Sequence, residues 1–342
     1  MNRLLPSLTF VAAVAASTIA PLPAQAQGEV NVYTTREPKL IQPLFDLFTK
    51  NTGIKVNAIF VEKGMAERVA AEGANSPADI MMAVDIGNVL DGVSRGVTQG
   101  VQSEALASAI PANLRDKDGH WFALSLRARL FYVSNERVKD KALTYTDLAD
   151  PKWKGKICIR SGQHPYNTAL IAAYIHHYGT AKAEEWLKGV KANLARKPAG
   201  GDREVARDIL GGICDVGVAN SYYVGLMRGG SNEDQKKWGA AINTIMPTFP
   251  GGGTHINISG ASVAKNSPNK TNAIKLLEFL VSNEAQAAYA KVNYEYPVRP
   301  GALIDPIIAF LGTLKTDQID LTVIVKNRKQ AAELADKVGF DQ

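Results

Sequence analysis

The chain has 342 residues, with 39 Lys and Arg against 33 Asp and Glu, a formal net charge of +6, two cysteines and five histidines. So small a basic excess, with no dense basic run, argues against nucleic acid as a partner, and the scattered cysteines and histidines do not make a Cys/His zinc site. The length exceeds what one core serves comfortably, so two domains are expected.

Arg3 precedes an apolar stretch over 4–20, followed by Pro21 to Pro23 and then Ala24-Gln25-Ala26. This pattern reads as a secretory signal peptide over 1–26, cleaved near Ala26. It lacks the cysteine of a lipoprotein and a twin arginine. Nothing beyond it is apolar enough to span a bilayer, so the expectation is a soluble protein of the periplasm.

Residues 30–33 read as a first strand, and Pro38 suits the first turn of a helix. Leu40, Ile41, Leu44, Phe45 and Phe48 follow at helical spacing up to Gly53. A strand over 54–61, a helix over 65–73, a strand over 77–83 and a helix over 86–95 continue the alternation. That order predicts mostly parallel sheets with helices on both faces, joined by right-handed crossovers. The apolar run over 121–135 is longer than an ordinary strand and suits a chain leaving one domain for the next. Arg127 and Arg129 sit inside it, where they either face an anion or occupy the solvent side of an alternating strand.

A short helix over 145–149 and a turn over 151–155 lead to a strand over 156–160. Arg160-Ser161-Gly162-Gln163 then opens a helix over 165–178, with Tyr166 in its first turn. Ser161 and Gly162 at a helix N-terminus offer backbone N–H groups to an anion, or serve as ordinary turn residues. Helices over 183–195 and 202–210 precede a strand over 213–219. Cys158 and Cys214 lie in the two strand-like runs on either side. In an oxidising compartment such a pair is expected to form a disulfide, the alternative being two buried thiols. The segment over 247–253 reads as a loop, 255–263 as a strand returning to the first domain, and 271–283, 284–293, 304–311 and 323–335 as helices.

Asn220-Ser221-Tyr222-Tyr223 stands where the strand ending at 219 turns into a helix. Neighbouring side chains on a strand point to opposite faces, but just past its end two phenols can turn toward one cleft. Two phenol oxygens converging on a point suit a hard, highly charged cation, ferric iron best, which displaces the phenolic protons. The alternative is a pair of half-buried aromatics with backbone partners for their hydroxyls. His176 and His177 point in different directions on a helix. No Walker loop, G-x-S-x-G elbow or H-E-x-x-H is present.

An ordered set of segments resembles the periplasmic ferric-iron-binding proteins of bacterial ABC importers, within the type II periplasmic binding protein superfamily. The set is 30–33 with its turn, Thr52-Gly53-Ile54-Lys55-Val56, Ser76-Pro77-Ala78-Asp79, Ala123-Leu124-Ser125-Leu126-Arg127-Ala128-Arg129, Asp150-Pro151-Lys152-Trp153-Lys154-Gly155-Lys156, Asn220-Ser221-Tyr222-Tyr223, Ser259-Gly260-Ala261 and Glu295-Tyr296-Pro297. The resemblance implies a two-domain α/β fold with two hinge crossings. A first lobe is made of 27–126 plus 258–342, and 127–257 forms a second lobe carrying the tyrosines. It implies Fe3+ as the transported ligand, bound by Tyr166, Tyr222 and Tyr223. A synergistic anion, carbonate above all, is held near Ser161, Gly162 and Arg127. The histidine that many members carry after the first strand is replaced here by Glu37, a candidate carboxylate ligand. The glutamate that some members carry after the third strand is replaced by Val84, with Asp85 beside it.

The picture is a monomeric capture protein, not an enzyme, that delivers iron to an ABC permease. The competing readings are a carrier for a small organic anion or polyamine, and an exported enzyme on the same fold. The enzyme reading lacks a nucleophile–base pair.

Overall fold

The computed structural model describes residues 28–342, so the expected signal peptide and its cleavage point lie outside the described residues. From the N-terminal side the elements are β1 (Glu29–Thr34), α1 (Pro38–Thr52), β2 (Lys55–Phe60), α2 (Met65–Glu72), β3 (Ile80–Ala83), α3 (Ile86–Ser94), β4 (Thr98–Gln99), α4 (Glu104–Ala109) and β5 (Phe122–Ser134). The chain continues through β6 (Ile157–Cys158), α5 (Pro165–Tyr178), α6 (Thr180–Ala192), α7 (Asp202–Leu210), β7 (Val216–Asn220), α8 (Tyr222–Gly229), α9 (Glu233–Ala240) and β8 (Ile242–Ile245). Next come β9 (Ile256–Ala264), α10 (Lys270–Leu280), α11 (Asn283–Asn293), β10 (Tyr296–Pro297), α12 (Pro306–Ala309) and α13 (Leu321–Lys337).

Helix α1 forms where the spacing predicts it. Pro38 starts it, and Ile41, Leu44, Phe45 and Phe48 make its buried stripe. Gly53 ends it in the left-handed conformation, φ 72°, which costs a glycine nothing. Sequence reading did not anticipate α4, α9 or β8, which are short and weakly periodic.

The strands run in the order β2-β1-β3-β9-β5-β7-β6. Parallel pairing is confined to the flanks, β1 with β2 and β3 on one side and β6 with β7 on the other. The centre is antiparallel because β5 and β9 run against their neighbours. All 13 residues of β5 are buried. From Phe122 to Ala128 it pairs with β9, and from Arg129 onward with β7 and then β8. One continuous strand therefore serves two groups of strands, as the long apolar run suggests. Next to the changeover, the Arg129 N–H donates to the His255 carbonyl at 3.0 Å, just ahead of β9.

The C-terminal helices divide. α10 packs on β1 and β9, and α11 on α1, but α13 lies along α5. The expectation places all of 258–342 in the first lobe; α13 packs on α5 and, less extensively, on α3. The reason lies in α5, which is buried along 167–175 and needs apolar cover on more than one side. The buried face of α13, with Ala331, Leu334 and Ala335, supplies it.

Candidate functional site

The paired parallel strands β6 and β7 both lead into helices that contribute tyrosines to one cleft of about 210 Å³. β7 ends at Asn220, and α8 begins at once with Tyr222 and Tyr223. Beyond β6 the chain turns through Ser161 and Gly162 into α5, which carries Tyr166 in its first turn. All three tyrosines line the cleft, together with Arg36, Glu37, Lys39 and Leu40 from the start of α1, Arg127 from β5, Arg203 from α7, and Leu226.

The tyrosines are closely packed. The rings of Tyr222 and Tyr223 lie 4.1 Å apart between centroids. The guanidinium carbons of Arg160, Arg127 and Arg129 stand 5.3, 5.4 and 5.9 Å from the Tyr166 ring, and that of Arg203 stands 5.0 Å from the Tyr223 ring. Burial pushes the Tyr222 phenol well above its ordinary value, and the neighbouring Tyr166 and Tyr223 add to the shift. Burial, followed by Asp202 and Tyr166, pushes Tyr223 up to about 12. Both phenols are thus protonated at neutral pH until something displaces the proton.

Buried ion pairs brace the walls. Asp202 accepts from Arg129 at 2.7 Å, from Arg160 at 3.2 Å, and from the Asn220 backbone N–H at 2.7 Å, which fixes the strand end next to the tyrosine pair. Arg129 also donates to Asn167 at 2.6 Å, beside Tyr166. On the other side Glu295 accepts from Arg36 at 2.8 Å and lies 3.6 Å from Arg127. Ser125 and Ser259 complete this cluster. Burial opposes ionisation of Glu295, but Arg36 and Arg127 outweigh it and hold the carboxyl below the usual range. The Nε atoms of Arg36, Arg127 and Arg203 are buried without a partner. A buried donor left open in this way wants an acceptor, and an anion satisfies several at once.

Two expected anion contacts are corrected. Ser161 and Gly162 do not line the cleft. The Ser161 hydroxyl donates to Asp341 at 2.5 Å and the Gly162 N–H donates to the same carboxylate at 2.7 Å. Phe340 packs on Gly162 closely enough that a Cβ there would sit 2.8 Å from its ring. The open donors of the turn do attract an anion, but it is a carboxylate of the chain's own C-terminal segment. Glu37 stands just before α1 at the cleft rim, its exposed side chain making no capping hydrogen bond and pairing with Lys39 at 3.1 Å. Sequence reasoning missed Arg36, Arg203, Asp202 and Glu295 as site residues. Glu295 stood in the matched Glu295-Tyr296-Pro297 segment, and Arg36 adjoined Glu37, but nothing local marked Arg203 or Asp202.

Among the described residues no group of three or more His, Cys, Asp or Glu is placed to hold a metal ion. Cys158 and Cys214 form a disulfide, Cα atoms 5.8 Å apart, joining the end of β6 to the segment just before β7.

A family model described as bacterial extracellular solute-binding protein matches residues 75–307. Iron uptake protein A1 of Synechocystis is 38% identical over 324 residues, covering 94% of this chain and 90% of that protein. The solved Bordetella ferric binding protein is 62% identical with a TM-score of 0.88, covering 92% of this chain and all of that one. A Trichodesmium protein solved with iron and citrate ligands is 42% identical with a TM-score of 0.87, again covering 92% of this chain and all of that one.

Proposed function

The chain belongs to the bacterial extracellular solute-binding protein family, and on that premise we propose that it captures ferric iron with three tyrosine phenolates and a synergistic anion and passes it to an ABC importer. It has the two-domain periplasmic binding protein fold and is a binding protein, not an enzyme. The observation that carries the ferric reading is the convergence of Tyr166, Tyr222 and Tyr223 on one cleft beside three arginines with unpartnered Nε atoms. Phenolate oxygen suits a hard trivalent cation. The arginines suit the anion that completes its coordination. The same cations disfavour a polyamine.

In this reading the metal displaces the protons of Tyr166, Tyr222 and Tyr223. The anion, carbonate in the first instance, docks against Arg127 and Arg36. Glu37 is a further oxygen donor at the rim. Lobes of 27–126 plus most of 258–342, and of 127–257 joined by α13, close about the β5 and β9 crossings, as in the hinge motion of periplasmic binding proteins. The mature protein, cleaved near Ala26, works as a monomer in the periplasm and presents its loaded form to a permease in the inner membrane.

The test is the visible spectrum of the mature protein with one equivalent of ferric citrate in bicarbonate buffer. A broad phenolate-to-iron band, lost in Tyr222→Phe and Tyr223→Phe, is expected. Absence of the band, with no iron retained after desalting, would reject the ferric reading and leave a small organic anion as the ligand to screen. Repeating the titration without bicarbonate separates carbonate from citrate as the anion.

A further inference from the structure

Helix α8 presents Tyr222 and Tyr223 to the cleft from its first turn. On its flank Gly225 and Gly229, four residues apart and so on one face, both meet the side chain of Tyr294, and Gly229 also meets Ile307. A Cβ on Gly225 would lie 2.1 Å from the Tyr294 ring, and one on Gly229 would lie 2.1 Å from its hydroxyl oxygen. The ring therefore fills a groove that exists only because both residues are glycine.

Tyr294 is also the one non-glycine residue in the left-handed region among the described residues, with φ 56° and ψ 29°. It closes α11, its N–H donating to the Ala290 carbonyl at 2.8 Å. Glycine is the usual occupant of such a cap, and a bulky residue is held there only when its surroundings over-determine it. Here the neighbours in sequence supply that constraint. Asn293 donates to the Leu40 carbonyl at 3.0 Å, at the α1 wall of the cleft. Glu295 holds Arg36 and lies beside Arg127. Three consecutive residues thus touch α1, α8 and the arginine cluster.

We infer that Tyr294 is a positioning residue for iron capture: lodged between Gly225 and Gly229, it fixes α8 against the Glu295–Arg36–Arg127 cluster and so sets the Tyr222 and Tyr223 phenols relative to the anion-binding arginines. This rests on the ferric reading above and adds a residue that does not touch the metal.

The experiment compares the full mature protein with Tyr294→Ala, Tyr294→Phe and Gly225→Ala. Ferric affinity is measured by chelator competition, the phenolate band by absorption, and the fold by circular dichroism and melting. Tyr294→Ala is expected to weaken ferric binding by about tenfold, the range for residues that orient metal ligands, and to shift the band, with the circular dichroism unchanged. Tyr294→Phe keeps the ring and restores both affinity and band. Gly225→Ala, which forces a methyl against the ring, is expected to shift the band as well, and decides the matter if Tyr294→Ala does not fold. Parent-like affinity and band position in Tyr294→Ala, or in Gly225→Ala where the former cannot be made, would overturn this role. A parent protein that takes up no iron would instead overturn the ferric reading and this role with it.

Discussion

Tyr222 and Tyr223 sit in a site that opposes their ionisation. Burial raises both phenols, Tyr223 to about 12, with Tyr166 adding to the shift in each. The sign for iron follows directly. A phenol ligates as phenolate, so each one used must lose a proton on binding, and affinity falls as pH falls. For every phenol that ionises on binding, apparent affinity is expected to change by about tenfold per pH unit below its pKa. For Tyr222 and Tyr223 together the slope approaches about a hundredfold per unit between pH 5 and 8. Chelator competition across that range measures it, and Tyr223→Phe should remove one power of ten per unit. A flat profile would mean that the phenols are not the ligands. Without iron the same shifts act on stability in the opposite direction. The folded pKa lies above the ordinary phenol value near 10, so their contribution is present below that pH and is lost as pH rises through it.

At the scale of elements, the disulfide ties the two strands that lead to the tyrosines. Cys158 ends β6, just ahead of the turn into α5, and Cys214 stands two residues before β7, which leads into α8. The cysteines are 56 residues apart, and α5, α6 and α7 lie between them. In the chain-entropy model a crosslink over such a loop stabilises by about 4 kcal/mol. The double variant Cys158→Ser with Cys214→Ser is expected to lose most of that in urea unfolding of the iron-free protein. A loss under about 1 kcal/mol would mean that the reduced chain keeps the same contacts without the bond. Elements also mark what could be read in advance. α1 and β5 were legible because their apolar spacing and length have no other good use. The tyrosines were legible because two phenols at a strand end pack badly. Ser161 and Gly162 were misread because their turn does what its chemistry predicts, with a carboxylate that arrives from 179 or 180 residues further along the chain. Asp202 and Arg203 open an ordinary amphipathic helix, and only the fold brings them to β5 and the tyrosines. Tyr294 falls in a segment that reads as irregular, and its role depends on two glycines far away in sequence.

For the whole molecule, the two crossings at β5 and β9 are not the only links between its halves. α13 rides on α5, tied by Asn327 to the Ala172 carbonyl at 3.3 Å and by Gln163 to the Ala332 carbonyl at 2.9 Å and the Asp336 carboxylate at 2.8 Å. From that base Arg328 reaches across to Asp85 at 2.7 Å. Asp85 caps α3, on the β3 and β9 side, and accepts from Asn257 at 2.8 Å. A helix packed on α5 therefore also meets the other half, where it lies against α3 and carries this ion pair beside the return crossing. A charge-assisted bond of this kind contributes on the order of 1.5 kcal/mol, which corresponds to about a tenfold shift between two arrangements of the halves. If the halves move about the crossings, Arg328→Ala should shift the iron-free protein toward the more separated arrangement. Small-angle scattering should then report a larger radius of gyration, with melting little changed because the α13–α5 packing survives. Ferric affinity should fall as well, since binding would have to draw together halves that the pair no longer holds. An unchanged radius and affinity would mean that α13 only covers α5, and that the geometry of capture is set by the crossings and the buried clusters beneath the tyrosines alone.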